Sequence, residues 1–67
     1  MIEITVNGAV RSVAEGLTLE SLLQSLELDP RMVVVERNRV IVRRTALGTT
    51  PVQAGDTLEI VHFVGGG

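Results

Sequence analysis

Cysteine, tryptophan and tyrosine are absent from this chain of 67 residues, and only one phenylalanine is present. Without cysteine, no disulfide can stabilise the fold and no thiolate can ligate a metal. The length allows one domain, and a domain of this size buries only about 60% of the surface that its unfolded chain exposes. A catalytic pocket, which typically needs roughly 300 Å³ or more, has little room in so thin a core.

The chain also lacks an excess of positive charge and any long apolar segment. Its net charge of −2 argues against a general nucleic-acid binder. No apolar run is long enough to span a bilayer, and no basic-then-apolar start resembles a signal peptide. We therefore expect a cytoplasmic protein that binds neither nucleic acid nor membrane.

Residue patterns typical of a catalytic or metal site are missing as well. The carboxylates are scattered, and the sequence contains neither a phosphate-binding glycine loop nor a Ser/His/Asp order with supporting context. The single histidine, His62, has no partners for a metal or catalytic role and is expected to face solvent. The sequence thus predicts no catalytic residue, no bound metal and no enzyme activity of its own.

The first part of the chain predicts a β-hairpin. Residues 1–6 alternate, with Ile2, Ile4 and Val6 on one face. Asn7-Gly8 follows, and this dipeptide is the strongest short signal for a type I′ turn because both central residues need positive φ. A second antiparallel strand over residues 9–14 completes the hairpin.

One helix is predicted next. Four leucines at helical spacing form a single apolar stripe, which we expect to pack on the sheet: Leu19, Leu22, Leu23 and Leu26. Thr18 can cap the amino end through its hydroxyl, and Asp29-Pro30 is expected to end the segment because proline disfavours the α region for its predecessor.

Three further strands are predicted over residues 32–36, 40–42 and 57–64, with an irregular connection over 45–54. A hairpin, one crossover helix and further strands give the pattern of an α+β, β-grasp (ubiquitin-like) fold. It has a mixed four- to five-stranded sheet with one main helix on one face. A right-handed crossover places the first and last strands side by side and parallel. We expect one domain over 1–64 and a flexible glycine tail over 65–67.

The last strand loses its alternation after Ile60, because Val61, Phe63 and Val64 place apolar side chains on both faces. These residues fit either of two interpretations. They could form a small cluster under the 45–54 connection, or a hydrophobic patch for docking a partner beside the tail.

Arginine is concentrated in one part of the chain. The basic residues between positions 31 and 44 are Arg31, Arg37, Arg39, Arg43 and Arg44. They are either a solvated hairpin surface or a docking surface for an acidic partner, since arginine pairs well with carboxylates.

The three residues at the end of the sequence, Gly65, Gly66 and Gly67, could simply be frayed. With no catalytic site elsewhere, the carboxylate expected on Gly67 is the remaining reactive group. A separate enzyme can activate it with ATP as an acyl adenylate, and a sulfur donor can then convert it to a thiocarboxylate. Gly65 and Gly66 would let the bare backbone enter a narrow channel.

Lysine is also absent from the chain, and all six basic residues are arginine. Biased codon use is the interpretation that we favour for this composition. An alternative is that an activated C-terminus is protected when no ε-amine can attack it.

Several stretches of the sequence resemble the ThiS family, the sulfur carriers of thiamin biosynthesis. They include Val6-Asn7-Gly8, Thr18-Leu19 and 35–38, and the most specific is the stretch over 55–67, from Gly-Asp to Phe-Val-Gly-Gly-Gly. The resemblance implies that an E1-like adenylyltransferase adenylates Gly67. It also implies that sulfur derived from cysteine by a desulfurase yields the thiocarboxylate, which a thiazole synthase uses for the thiamin thiazole. ATP and the sulfur donor belong to the partner enzymes, so no cofactor is assigned to this chain.

Two other functions remain open on the sequence. The chain could carry sulfur for another pathway, as the small subunit of molybdopterin synthase does, or for another thiolation. It could also be a β-grasp binding module with an inert tail. Deletion of Gly67 separates the carriers from the binding module, since only a carrier loses its activity.

Overall fold

The computed structural model describes residues 1–63. The expectations for Val64, Gly65, Gly66 and Gly67 fall outside the described residues. The described part contains five strands, one α-helix and two short 3-10 helices. The strands are β1 (Ile2–Val6), β2 (Ala9–Val13), β3 (Val33–Arg37), β4 (Val40–Val42) and β5 (Thr57–His62); the helix is α1 (Leu19–Ser25); the 3-10 helices are Pro30–Met32 and Arg44–Ala46.

The five strands form one mixed sheet in the order β2-β1-β5-β3-β4. β1 and β5 are parallel neighbours at its centre, and the other pairs are antiparallel. The helix α1 connects β2 to β3, and these two strands run in the same direction with β1 and β5 between them. The β-grasp topology predicted from the sequence is confirmed.

Both hairpins turn through residues with positive φ. Asn7 has a φ of 50° and Gly8 a φ of 84°, as the predicted type I′ turn requires. The β3–β4 turn uses Asn38 and Arg39, with φ values of 51° and 71°. Asparagine tolerates this left-handed region, whereas arginine enters it rarely.

The amino end of α1 is capped from two directions. The Thr18 hydroxyl accepts a hydrogen bond from the Ser21 N–H at 3.1 Å, which confirms the predicted cap. The Leu19 and Glu20 N–H groups donate to carbonyls in the 45–54 connection, those of Thr50 at 2.9 Å and Leu47 at 3.0 Å. The connection therefore satisfies amides that a helix start leaves without intrahelical partners.

The carboxyl end of α1 differs from the prediction, because the helix ends at Ser25 rather than near Asp29-Pro30. Glu27 has a φ of 61°. The Leu28 N–H donates to the Leu23 carbonyl at 2.9 Å, and the Glu27 N–H donates to the Gln24 carbonyl at 3.0 Å. These two bonds define a Schellman motif, which ends the helix before proline can act.

The core lies between α1 and one face of the sheet. Its buried apolar residues are Ile4, Val6, Val13, Leu19, Leu22, Leu23, Val33, Val35, Leu47, Val52, Leu58 and Ile60. Leu47 and Val52 come from the connection that the sequence suggested was only irregular. The single α-helix leaves the opposite face of the sheet uncovered in the described part of the chain. Within residues 1–63, no helix is long and apolar enough to cross a bilayer.

Candidate functional site

The central strand β5 is bonded to a neighbour on each side. On the β3 side, five register pairs run from Arg37–Leu58 to Val33–His62, and the Phe63 N–H donates to the Met32 carbonyl at 2.8 Å. The pairing therefore continues to the last described residue. It fixes the point from which residues 64–67 continue.

On the β1 side, the Asn7 side chain extends the pairing beyond the end of the strand. Its Nδ2 donates to the Ile60 carbonyl at 3.1 Å, and its Oδ1 accepts from the Ile60 N–H at 2.7 Å. A side-chain amide thus replaces the backbone group that β1 can no longer offer after it turns at Gly8. The sequence identified Asn7 as a turn residue, but it gave no sign of this contact, which joins residues 53 positions apart.

The start of β5 is fixed by a buried carboxylate, Asp56, which is only 4% exposed. Its Oδ2 accepts from Arg37 Nε at 2.9 Å and from the Gln53 N–H at 2.8 Å, and its Oδ1 accepts from Asn38 Nδ2 at 3.1 Å. Burial by itself raises the pKa of Asp56, but the hydrogen bonds from Gln53, Arg37 and Asn38 and the Arg37 charge outweigh it and leave the pKa below its usual value.

The open face of the sheet exposes apolar side chains near the end of β5. Val61 is 58% exposed and Phe63 is 52% exposed. The 45–54 connection does not cover them, because its apolar residues Leu47 and Val52 are buried in the core on the other face. The structure therefore excludes a buried cluster under that connection. We call Val34, Ile41, Val61 and Phe63 the open-face patch.

The arginines predicted as one cluster are divided by the fold. Arg37 belongs to the Asp56 contacts, and Arg39 lies in the β3–β4 turn. The other three line a surface groove beside Phe63: Arg31, Arg43 and Arg44. Arg31 pairs with Asp29 at 2.8 Å, and its hydrogen bonds and charge lower the pKa of that carboxyl to about 2.

His62 is exposed at the end of β5, as the sequence predicts. Among residues 1–63, no group of three His, Cys, Asp or Glu side chains is placed to hold a metal. The roles predicted for Gly67, Gly65 and Gly66, and the docking role predicted for Val61, Phe63 and Val64, stay predictions.

A mixed sheet with parallel β1 and β5 at its centre and one helix across one face defines a β-grasp domain of the ubiquitin-like class. A model of the ThiS family matches residues 4–67. The chain belongs to the ThiS family.

Two curated relatives and one solved structure agree with this assignment. The chain is 42% identical over 66 residues to a thiazole synthase of Magnetococcus marinus, an alignment that covers 98% of this chain and 20% of that protein. It is 42% identical over 50 residues to the sulfur carrier protein ThiS of Bacillus subtilis, covering 75% of this chain and 76% of the relative. The crystal structure of ThiS from Geobacter metallireducens superposes with a TM-score of 0.84 at 38% identity, covering 98% of this chain and all of that one.

These alignments differ in how much of each relative they cover. The chain spans about a fifth of the length of the thiazole synthase that it matches. The Bacillus and Geobacter proteins match over most or all of their length. The sequence similarity therefore relates this chain both to separate ThiS proteins and to part of a larger protein named thiazole synthase.

Proposed function

We propose that this protein is a sulfur carrier whose Gly67 carboxylate becomes a thiocarboxylate that supplies sulfur for the thiamin thiazole ring. The observation that carries the proposal is the position of β5. This strand is central, is bonded on the β1 side as far as Ile60 and on the β3 side as far as Phe63, and precedes Gly65, Gly66 and Gly67 in the sequence. Its hydrogen bonds to β3 fix the position of Phe63, the last described residue before that segment. Membership of the ThiS family supports the same role.

The carrier chemistry has two steps. A carboxyl group of this type has a pKa of about 3.5 and is ionised at pH 7, so it is a poor acylating agent. Attack of the Gly67 carboxylate on the α-phosphate of ATP forms an acyl adenylate and releases pyrophosphate. A sulfide equivalent then attacks the carbonyl carbon, forming a C–S bond and releasing AMP. The product is a thiocarboxylate, which is a soft sulfur nucleophile.

The catalytic groups for both steps belong to partner enzymes in this proposal. An E1-like adenylyltransferase binds ATP and activates Gly67, and a cysteine desulfurase is the origin of the sulfur. A thiazole synthase accepts the loaded tail. The similarity of this chain to part of a protein named thiazole synthase supports that last partner.

Docking is assigned to Val61, Phe63 and Val64, at the end of β5 and just after it. Val61 and Phe63 are exposed apolar side chains next to the tail, and an enzyme that binds Gly67 comes close to them. We propose that both residues, together with Val64, contact the activating enzyme and the acceptor enzyme. Gly65 and Gly66 give the tail access because glycine has no side chain to obstruct a narrow channel.

Intact-mass spectrometry tests the carrier function. The protein is incubated with ATP, an E1-like adenylyltransferase and a sulfur source, and the expected product has one oxygen replaced by sulfur. Fragmentation should locate the change at Gly67. A variant that lacks Gly67 is the control and should not gain the mass. If several competent activating enzymes leave the full chain unchanged, the carrier proposal is wrong.

A further inference from the structure

A groove of about 290 Å³ lies on the surface beside the end of β5. Its lining combines two chemistries. Three of the lining residues belong to the open-face patch, and three are arginines: Val34, Ile41, Phe63, Arg31, Arg43 and Arg44. Ile41 is 64% exposed and Phe63 is 52% exposed, so apolar surface is accessible next to positive charge.

The positive charge in the groove is local. The whole chain has a net charge of −2, yet three of its six arginines line this groove. Arg31 has its carboxylate partner Asp29, and its side chain is still 78% exposed. Among residues 1–63, Arg43 and Arg44 have no carboxylate oxygen within 4.0 Å. Two guanidinium groups are therefore available to an anionic group from another molecule.

The groove also lies within reach of any enzyme that acts on the tail. From Phe63 to Gly67 the chain adds four residues, which span at most about 14 Å when fully extended. An enzyme whose active site holds Gly67 must therefore have surface within that distance of Phe63. Phe63 itself lines the groove.

We propose that the groove binds an acidic, apolar segment of the adenylyltransferase that activates the tail. An apolar side chain of the segment packs on Ile41 and Phe63, and a carboxylate pairs with Arg43 and Arg44. The proposal rests on the proposed carrier function only for the identity of the partner. It adds selectivity for negative charge to the apolar docking at Val61 and Phe63, and charge complementarity of this kind favours the correct partner over others.

Titration with model peptides, followed by the backbone amide signals in NMR, tests the chemistry of the groove directly. The probe is a five-residue peptide of alternating glutamate and leucine with blocked ends, and its control replaces glutamate with glutamine. We expect the acidic peptide to shift the amides of Ile41, Arg43, Arg44 and Phe63 and to bind at least tenfold more tightly than the control. Equal binding of the two peptides, or shifts confined to other parts of the sheet, contradicts the proposal.

A matched pair of charge reversals locates the selectivity. Arg43→Glu changes the groove, whereas Arg11→Glu makes the same change on β2, at the other edge of the sheet. We expect Arg43→Glu to weaken binding of the acidic peptide at least tenfold and Arg11→Glu to weaken it less than twofold. Equal weakening by both variants would mean that the peptide responds to diffuse charge, which overturns the proposal.

The same variants separate this inference from the carrier function. In the activation reaction with ATP and the adenylyltransferase, we expect Arg43→Glu to raise KM at least tenfold with kcat within twofold, because Arg43 lies outside the tail. Arg11→Glu should change neither constant. If the wild-type protein gains no mass, the carrier function fails while the peptide titration still reports on the groove. If mass is gained and the KM of Arg43→Glu is unchanged, the groove proposal alone is wrong.

Discussion

Replacement of Asn7 tests whether its side chain holds β5 in place. Asn7→Gly removes both hydrogen bonds to Ile60 but keeps the positive φ of 50° at no steric cost. Each bond contributes about 1 kcal/mol, so we expect a loss of about 2 kcal/mol in the free energy of unfolding. For a domain of this size, a loss of that order lowers Tm by roughly 8–16 °C.

Asn7→Ala provides the comparison that separates the hydrogen bonds from the turn. It loses the same two bonds. It also places alanine in the left-handed region, where its Cβ is strained and no side-chain hydrogen bond compensates. The additional cost is about 1–2 kcal/mol, which gives a total of about 3–4 kcal/mol. The difference between the alanine and glycine variants therefore measures turn strain, and the glycine variant alone measures the contacts with Ile60.

The assay is urea unfolding followed by far-UV circular dichroism, because the chain has no tryptophan or tyrosine to report by fluorescence. Hydrogen exchange of the Ile60 amide provides a local measurement, since this N–H donates to Asn7 Oδ1. We expect faster exchange of this amide in both variants. If the free energy of unfolding of Asn7→Gly lies within about 0.5 kcal/mol of the wild-type value and hydrogen exchange at Ile60 is unchanged, the reasoning is refuted.

Three further substitutions address docking, pH dependence and helix termination. Phe63→Asp should abolish activation by the adenylyltransferase with little change in Tm. The control Val10→Asp, at an exposed position of β2, should leave activation intact. A lower Tm in the Phe63 variant alone would indicate a structural role for Phe63. Because the folded pKa of Asp56 is lowered, its stabilisation is present above pH of about 3.9 and is lost as pH falls through the lowered value. Asp56→Asn should therefore lower the free energy of unfolding by roughly 3 kcal/mol at pH 7. In urea unfolding at pH 3, the difference in free energy between variant and wild type should be smaller. An equal difference at both pH values contradicts this prediction. Glu27→Gly should raise the free energy of unfolding by about 1 kcal/mol, because glycine adopts the φ of 61° without strain; a decrease would contradict it.

Elements that depend on local signals were predictable from the sequence. The Asn7-Gly8 turn, the leucine spacing of α1 and the Thr18 cap all involve residues within a few positions of one another, and the structure confirms them. The parallel placement of β1 and β5 followed from the handedness of crossover connections. The end of α1 was not predictable, because Glu27 in the left-handed region carries no compositional signal.

Features that depend on distant contacts were missed for a physical reason. Arg37 and Asp56 are 19 positions apart, and both looked like ordinary turn residues until the fold placed them together. The burial of Leu47 and Val52 depends on where the 45–54 connection crosses the helix start. The sequence allowed Phe63 to be either exposed or buried under the 45–54 connection. Only the position of that connection in the fold could decide between the two.

The two sides of β5 end their contacts at different residues, and this difference bears on how the tail is used. Among the described residues, hydrogen bonds from the β1 side end at Ile60, where the Asn7 amide makes the last contact, whereas those from the β3 side continue to Phe63. Residues 61–63 are therefore held by β3, and among residues 1–63 they have no hydrogen bond to β1. β3 fixes the position at which the tail begins, while Asn7 determines how much of the β5 edge stays covered. Hydrogen exchange in Asn7→Gly should thus become faster at the Ile60 amide and stay unchanged at the Phe63 amide, because the Phe63–Met32 bond does not involve β1.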